Sequence, residues 1–106
     1  MFVRVATFEG VDPGQFEQAA PGARERVTSI LEGLSGWKGA AQLLDRPNGT
    51  LAIVQVFDTQ ENMEAAESTF QTMPQRLGDE MVKVLGGPPR SVNKFEVMGQ
   101  TGILQA

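Results

Sequence analysis

Arg4, Phe8, Trp37, Gln55 and Phe57 are the side chains of this sequence best suited to meet a ligand. Trp37 is the only tryptophan. Its indole either stacks on a planar molecule or anchors the start of a strand by packing alone. Arg4 interrupts the apolar run Phe2-Val3-Arg4-Val5-Ala6. A charge on such a strand needs a partner, either an acid reached across a subunit interface or a bound anion. Gln55, within Leu51-Ala52-Ile53-Val54-Gln55-Val56-Phe57, can hydrogen-bond a ligand carbonyl or satisfy a neighbouring side chain. Phe8 and Phe57 read as core or interface residues that also wall a cavity. These residues form the expected substrate-binding set, and no catalytic residue is assigned.

The missing residue types restrict the chemistry further. There is no cysteine, histidine or tyrosine. That excludes disulfides, thiolate catalysis and Cys-based metal sites, and removes the commonest general base and transition-metal ligand. Glu61, Glu64 and Glu67 recur at three-residue steps. They read as a solvated helix face, because carboxylates without histidine make a poor metal site; no metal is expected. Asn62 reads as local capping, and Met63, Met73 and Met81 as core at helical spacing.

With 9 Lys+Arg against 13 Asp+Glu, the net charge is −4, and the basic residues are scattered. No nucleic-acid partner is expected, since phosphate binding needs clustered Lys and Arg. No run approaches the ~20 apolar residues of a membrane span. The start, Met1-Phe2-Val3-Arg4-Val5, does not read as a signal peptide. The expectation is a cytoplasmic protein without membrane contact. A chain of 106 residues is one domain, taken as 1–99 with a tail over 100–106.

The elements that must position these side chains follow from periodicity. Phe2 to Glu9 alternates as a strand, with Phe2, Arg4, Ala6 and Phe8 on one face and Val3, Val5 and Thr7 on the other. A helix lies between Gln15 and Leu34, where Val27, Ile30, Leu31 and Leu34 form a stripe; Pro21 reads as the first residue of a helical turn. Strands from about Trp37 to Asp45 and Thr50 to Phe57 flank Pro47-Asn48-Gly49, a hairpin signal. Met63, Ala66, Phe70, Met73, Leu77, Met81 and Val84 make a second helical stripe, which Pro74 must kink or break. Ser91 to Met98 is the last strand.

The order β-α-β-β-α-β is the split βαβ arrangement: an α+β, ferredoxin-like domain with a four-stranded antiparallel sheet and two helices on one face. The other face is expected to carry Arg4, Ala6, Phe8, Ile53, Gln55 and Phe57. Bare, that face is too apolar for a monomer, so a second copy is expected to cover it and enclose a small cavity on each side. Stacking RNA bases on the sheet is the competing use of such a face, and it lacks the basic and aromatic neighbours it needs.

Four stretches carry a family resemblance: Met1-Phe2-Val3-Arg4-Val5-Ala6-Thr7-Phe8-Glu9-Gly10, Gly36-Trp37-Lys38-Gly39 with the Leu43-Leu44-Asp45-Arg46 strand, Val56-Phe57-Asp58-Thr59-Gln60-Glu61-Asn62-Met63, and Phe95-Glu96-Val97. The chain resembles the antibiotic biosynthesis monooxygenase-like (ABM) domains of the dimeric α+β barrel superfamily over nearly its whole length. The resemblance implies a face-to-face homodimer and, among that superfamily's activities, a cofactor-independent monooxygenase acting on a small aromatic or polycyclic substrate. Arg4 would then stabilise an anion, and no cofactor would be needed. The alternatives are a non-catalytic module for a small apolar or aromatic ligand, and a dimeric interaction protein with a filled interior. Haem-degrading relatives use an Asn on the first strand, a Trp ending the third and a His on the second long helix. Here Phe57 stands at the Trp position, Arg4 or Ala6 at the Asn position, and no histidine exists.

Overall fold

The computed structural model describes residues 1–102. The chain forms β1 (Phe2–Phe8), α1 (Pro13–Glu32), β2 (Trp37–Asp45), β3 (Thr50–Phe57), α2 (Gln60–Ala65), α3 (Glu67–Thr72), a 3-10 turn (Met73–Arg76), α4 (Asp79–Leu85) and β4 (Ser91–Glu96). The strands build one four-stranded sheet in the order β2-β3-β1-β4, antiparallel throughout. This is the expected ferredoxin-like plan. Gln100–Gly102 belong to no helix or strand, and Ile103 and Leu104 of the expected tail lie outside the described residues. Among the described residues no helix is long and apolar enough to cross a membrane.

α1 begins where local chemistry favours it. The Asp12 carboxylate accepts from the Gln15 amide at 2.9 Å, and Pro13 fills the first turn, where its missing N–H costs nothing. Contrary to the expectation from sequence, Pro21 does not start a turn; the helix runs through it. The ring lies on the exposed side, where water can satisfy the carbonyl left without a partner.

The second helical stripe is real but is not one helix. Met63, Ala66, Met73, Met81 and Leu85 are buried in turn on α2, at the junction of α2 and α3, on the 3-10 turn and on α4. Pro74 sits in the 3-10 turn, and Gly78, at φ 92°, breaks the chain again before α4. Segmentation lets the layer bend over the sheet while keeping its apolar side inward.

The structure reverses the expected roles of the sheet faces. Ala6, Phe8, Leu51 and Phe57 are buried within the subunit together with Arg4 and Gln55. They face α1 and the segmented helical layer, packing against Phe16, Ala20, Met63 and Met81. The face without helices is the other one, where Val3, Val5, Val54 and Val56 are half-buried and Leu43 and Phe95 exposed. Both faces are apolar in sequence, so alternation alone paired the residues correctly and assigned the wrong set to the outside.

Candidate functional site

A cavity of about 600 Å³ lies between the helices and the inner sheet face. It exists because small residues stand where large ones would close it. Ala20 and Ala23 of α1 face Ala6 of β1 across the gap, and the cavity reaches all of them. Phe8, Phe16, Met81 and Leu85 wall one end. Arg4, Trp37, Gln55 and Phe70 wall the other.

The polar end is a row across three strands. Gln55 of β3 pairs in register with Arg4 of β1, and Arg4 with Lys94 of β4. Directly opposed residues have Cβ atoms about 5 Å apart on one face, so the three side chains leave the sheet as neighbours. Arg4 donates from Nε and Nη2 to the two carboxylate oxygens of Glu67 on α3, both at 2.9 Å. Lys94 Nζ reaches Glu64 at 2.9 Å and Glu67 at 3.2 Å. The Arg4 guanidinium also lies 4.5 Å from the centroid of the Phe70 ring, a cation–π contact strengthened by burial. Two cations thus meet two carboxylates, which is how a buried arginine becomes tolerable. The Arg4 hydrogen bonds hold the Glu67 carboxyl below its usual range, and the Glu64 carboxylate raises the Lys94 ammonium above its own.

Two expectations are corrected here. The acid that pairs with Arg4 comes from its own chain, not from across an interface. Glu64 and Glu67 are not a purely solvated face, because they tie α2 and α3 to the sheet; the Glu67 side chain is 25% exposed.

Trp37 opens β2 at a bulge between Trp37 and Gly39. Gly36, at φ 74°, makes the preceding turn, and a Cβ there would sit 2.0 Å from Asp58 Oδ1. The Asn62 amide holds that carboxylate at 2.8 Å and depresses its pKa. The turn sends the indole inward, where Nε1 donates to Gln55 Oε1 at 2.8 Å. Phe57 is fully buried but does not reach the cavity. It stands behind Phe70, with ring centroids 6.2 Å apart and planes at 82°. Of the residues expected to bind substrate, Arg4, Phe8, Trp37 and Gln55 are on the cavity wall, and Phe57 supports it. Sequence reasoning did not place Glu67, Phe70 and Lys94 at the site. The signal available was the need of Arg4 for an acid, but nothing local pointed to one 63 residues away.

The arrangement favours binding and anion stabilisation over proton abstraction. Glu67 is a weak base because Arg4 stabilises its ionised form. The chain has no histidine, cysteine or tyrosine to ligate a haem iron.

No family model matches the chain. No curated protein matches it either. Solved structures do. A monooxygenase from Streptomyces coelicolor, in complex with nanaomycin D, superposes at TM-score 0.70 with 16% identity, covering 94% of this chain and 89% of that one. A MhuD mutant with two manganese protoporphyrin IX molecules bound per active site gives 0.68 and 18%, covering 96% and 99%. An antibiotic biosynthesis monooxygenase gives 0.58 and 14%, covering 93% and 100%. The fold is that of the antibiotic biosynthesis monooxygenases. At these identities the likeness of this ABM-like chain to them is one of architecture, and its chemistry must be argued from its own side chains.

Proposed function

We propose that the cavity of this ABM-like domain is the site of a cofactor-independent monooxygenase acting on a small aromatic or polycyclic substrate. One observation carries the reading: a cavity of about 600 Å³, apolar along most of its wall, ends in a buried arginine and a buried glutamine. Typical small-molecule sites combine that size with a few convergent polar groups. In the proposed reaction an activated methylene of the substrate loses a proton to give a stabilised carbanion. The carbanion donates electrons to dioxygen and forms a C–O bond. The O–O bond then breaks, leaving a carbonyl on the substrate and releasing the second oxygen atom as water. Arg4 supports the anion electrostatically in a water-poor site, and the substrate's own acidity substitutes for a strong protein base.

Oxygen uptake with anthrone as probe tests this. Uptake above the spontaneous rate is expected, falling by about a hundredfold or more in Arg4→Gln, the loss expected for one preorganised electrostatic donor. Binding of anthrone without uptake above background would overturn the catalytic reading. It would leave the second one, a non-catalytic carrier or sensor of the same ligand class, which the weak basicity of Glu67 favours. The proposal includes a homodimer built on the helix-free face, with each cavity lying wholly within one subunit.

A further inference from the structure

The Trp37–Gln55 hydrogen bond settles which way the buried carboxamide points. An indole N–H only donates, so the atom it meets at 2.8 Å must be the amide oxygen. The Gln55 NH2 therefore points elsewhere, and among the described residues it has no hydrogen-bond partner. Arg4 is in the same position: Nε and Nη2 are spent on Glu67, and Nη1 is not. Neither group is sealed off, because among the described residues no side-chain nitrogen or oxygen shut away from solvent lacks a partner. Yet Gln55 is only 6% exposed and the Arg4 side chain 8%. Both residues line the cavity, so the space their free N–H groups face is the cavity. Being cross-strand partners, they present these donors side by side.

We infer that Trp37 is a positioning residue that locks Gln55, with Arg4, into a pair of free donors selecting ligands that carry an oxygen acceptor at one end. The inference rests on the cavity being a small-molecule site and adds the polarity and direction of the ligand. Beyond the polar row, the inner face runs through the Ala6–Ile53 and Phe8–Leu51 pairs. At about 3.3 Å per residue, Arg4 to Phe8 spans roughly 13 Å, the length of a fused ring system. The ligand lies along β1 with its oxygen at Arg4 and Gln55 and its hydrocarbon end at Phe8. Replacing the indole by a phenyl ring frees the carboxamide to turn its oxygen toward the Arg4 guanidinium. That rotation consumes both donors and removes the subsite while leaving an aromatic wall in place.

The test is the affinity ratio of two probes with one skeleton, 1-tetralone and tetralin, measured by calorimetry or ligand-observed NMR on the intact protein. Hydrogen bonds to a charged and a neutral donor should favour the ketone by about tenfold or more, although tetralin is the more hydrophobic. Trp37→Phe should bring the ratio close to one. Gln55→Glu, which can still accept from the indole, should turn the preference toward the cationic 1-aminotetralin. Circular dichroism checks that each variant folds, and the second variant carries the test if the first does not fold. Equal binding of ketone and hydrocarbon by the wild type, or an unchanged ratio in folded Trp37→Phe, would overturn the inference and leave the binding reading intact. Failure of every probe to bind would overturn both.

Discussion

At the scale of single residues, the molecule turns on one buried cation. Arg4 is held by Glu67 in a fork of two hydrogen bonds and capped by the Phe70 ring. Lys94 shares the same carboxylate. Such a network makes stability depend on pH with a definite sign. The folded state depresses the Glu67 pKa, so its contribution is fully present above the ordinary carboxylate pKa of about 4.3 and is lost as pH falls through the lower folded value. Lys94 is raised; its contribution is present at neutral pH and lost only as pH rises beyond the usual lysine range. Urea midpoints measured from pH 7 down to pH 2.5 should fall on the acid side in the wild type. Glu67→Gln should be less stable at pH 7 and show a shallower fall below pH ~4. An acid limb of the same slope in both proteins would mean that other carboxylates govern it. The sequence showed that Arg4 needed a partner. It did not show which, because Glu67 reaches it through the packing of α3 on the sheet and not through any local spacing.

At the scale of elements, much of the fold was legible and one choice was not. The strand positions, the hairpin at Pro47-Asn48-Gly49 and the break at Pro74 follow from alternation and from the backbone limits of glycine and proline, although β1 ends at Phe8 and β4 at Glu96, short of the expected Glu9 and Met98. The grouping of Arg4, Ala6 and Phe8 with Ile53, Gln55 and Phe57 was correct as well. Which face the helices would cover was not legible, because Val3 and Val5 on one side are as apolar as Phe2 and Phe8 on the other. The position of Trp37 depends on the turn before it. Gly36 and Gly86 have the same φ of 74°, but a Cβ at Gly36 would strike Asp58 and Asn62, while one at Gly86 meets nothing within 4 Å. Gly86→Ala should therefore cost only the left-handed backbone penalty, about 1–2 kcal/mol. Gly36→Ala should add an overpacking cost of about 1–3 kcal/mol and loosen the indole from Gln55. Chemical denaturation gives the two costs, and Trp37 fluorescence reports the local change. Equal costs would mean that the Asp58–Asn62 pair yields freely and does not hold the turn.

At the scale of the whole molecule, the proposed homodimer rests on the helix-free sheet face. Its rows read Gly39–Val56–Val3–Phe95, Ala41–Val54–Val5–Asn93 and Leu43–Ala52–Thr7–Ser91. No charged residue occurs in them. With strands about 4.8 Å apart and a rise of about 3.3 Å per residue, the central part of this face covers roughly 400 Å². That equals a large apolar patch for a monomer and about half of what each partner buries in a standard interface. The proposed dimer must therefore extend past the sheet, and the exposed Phe95 side chain at its β4 edge, at 54%, is apolar surface available for it. Val5 lies at the centre of the face, on the middle strand pair, and its side chain points away from the cavity. Val5→Lys should place a charge at the middle of the interface and convert the dimer to a folded monomer in sedimentation, because an unpaired buried charge is not tolerated at an interface core. Phe95→Asp, at the edge, should weaken association by tenfold or more without abolishing it. Since each cavity lies on the opposite side of the sheet from Val5, the monomeric Val5→Lys protein should still bind 1-tetralone. A Val5→Lys protein that stays dimeric would place the interface elsewhere, and a folded monomer that no longer binds would mean that the second subunit helps to close the cavity.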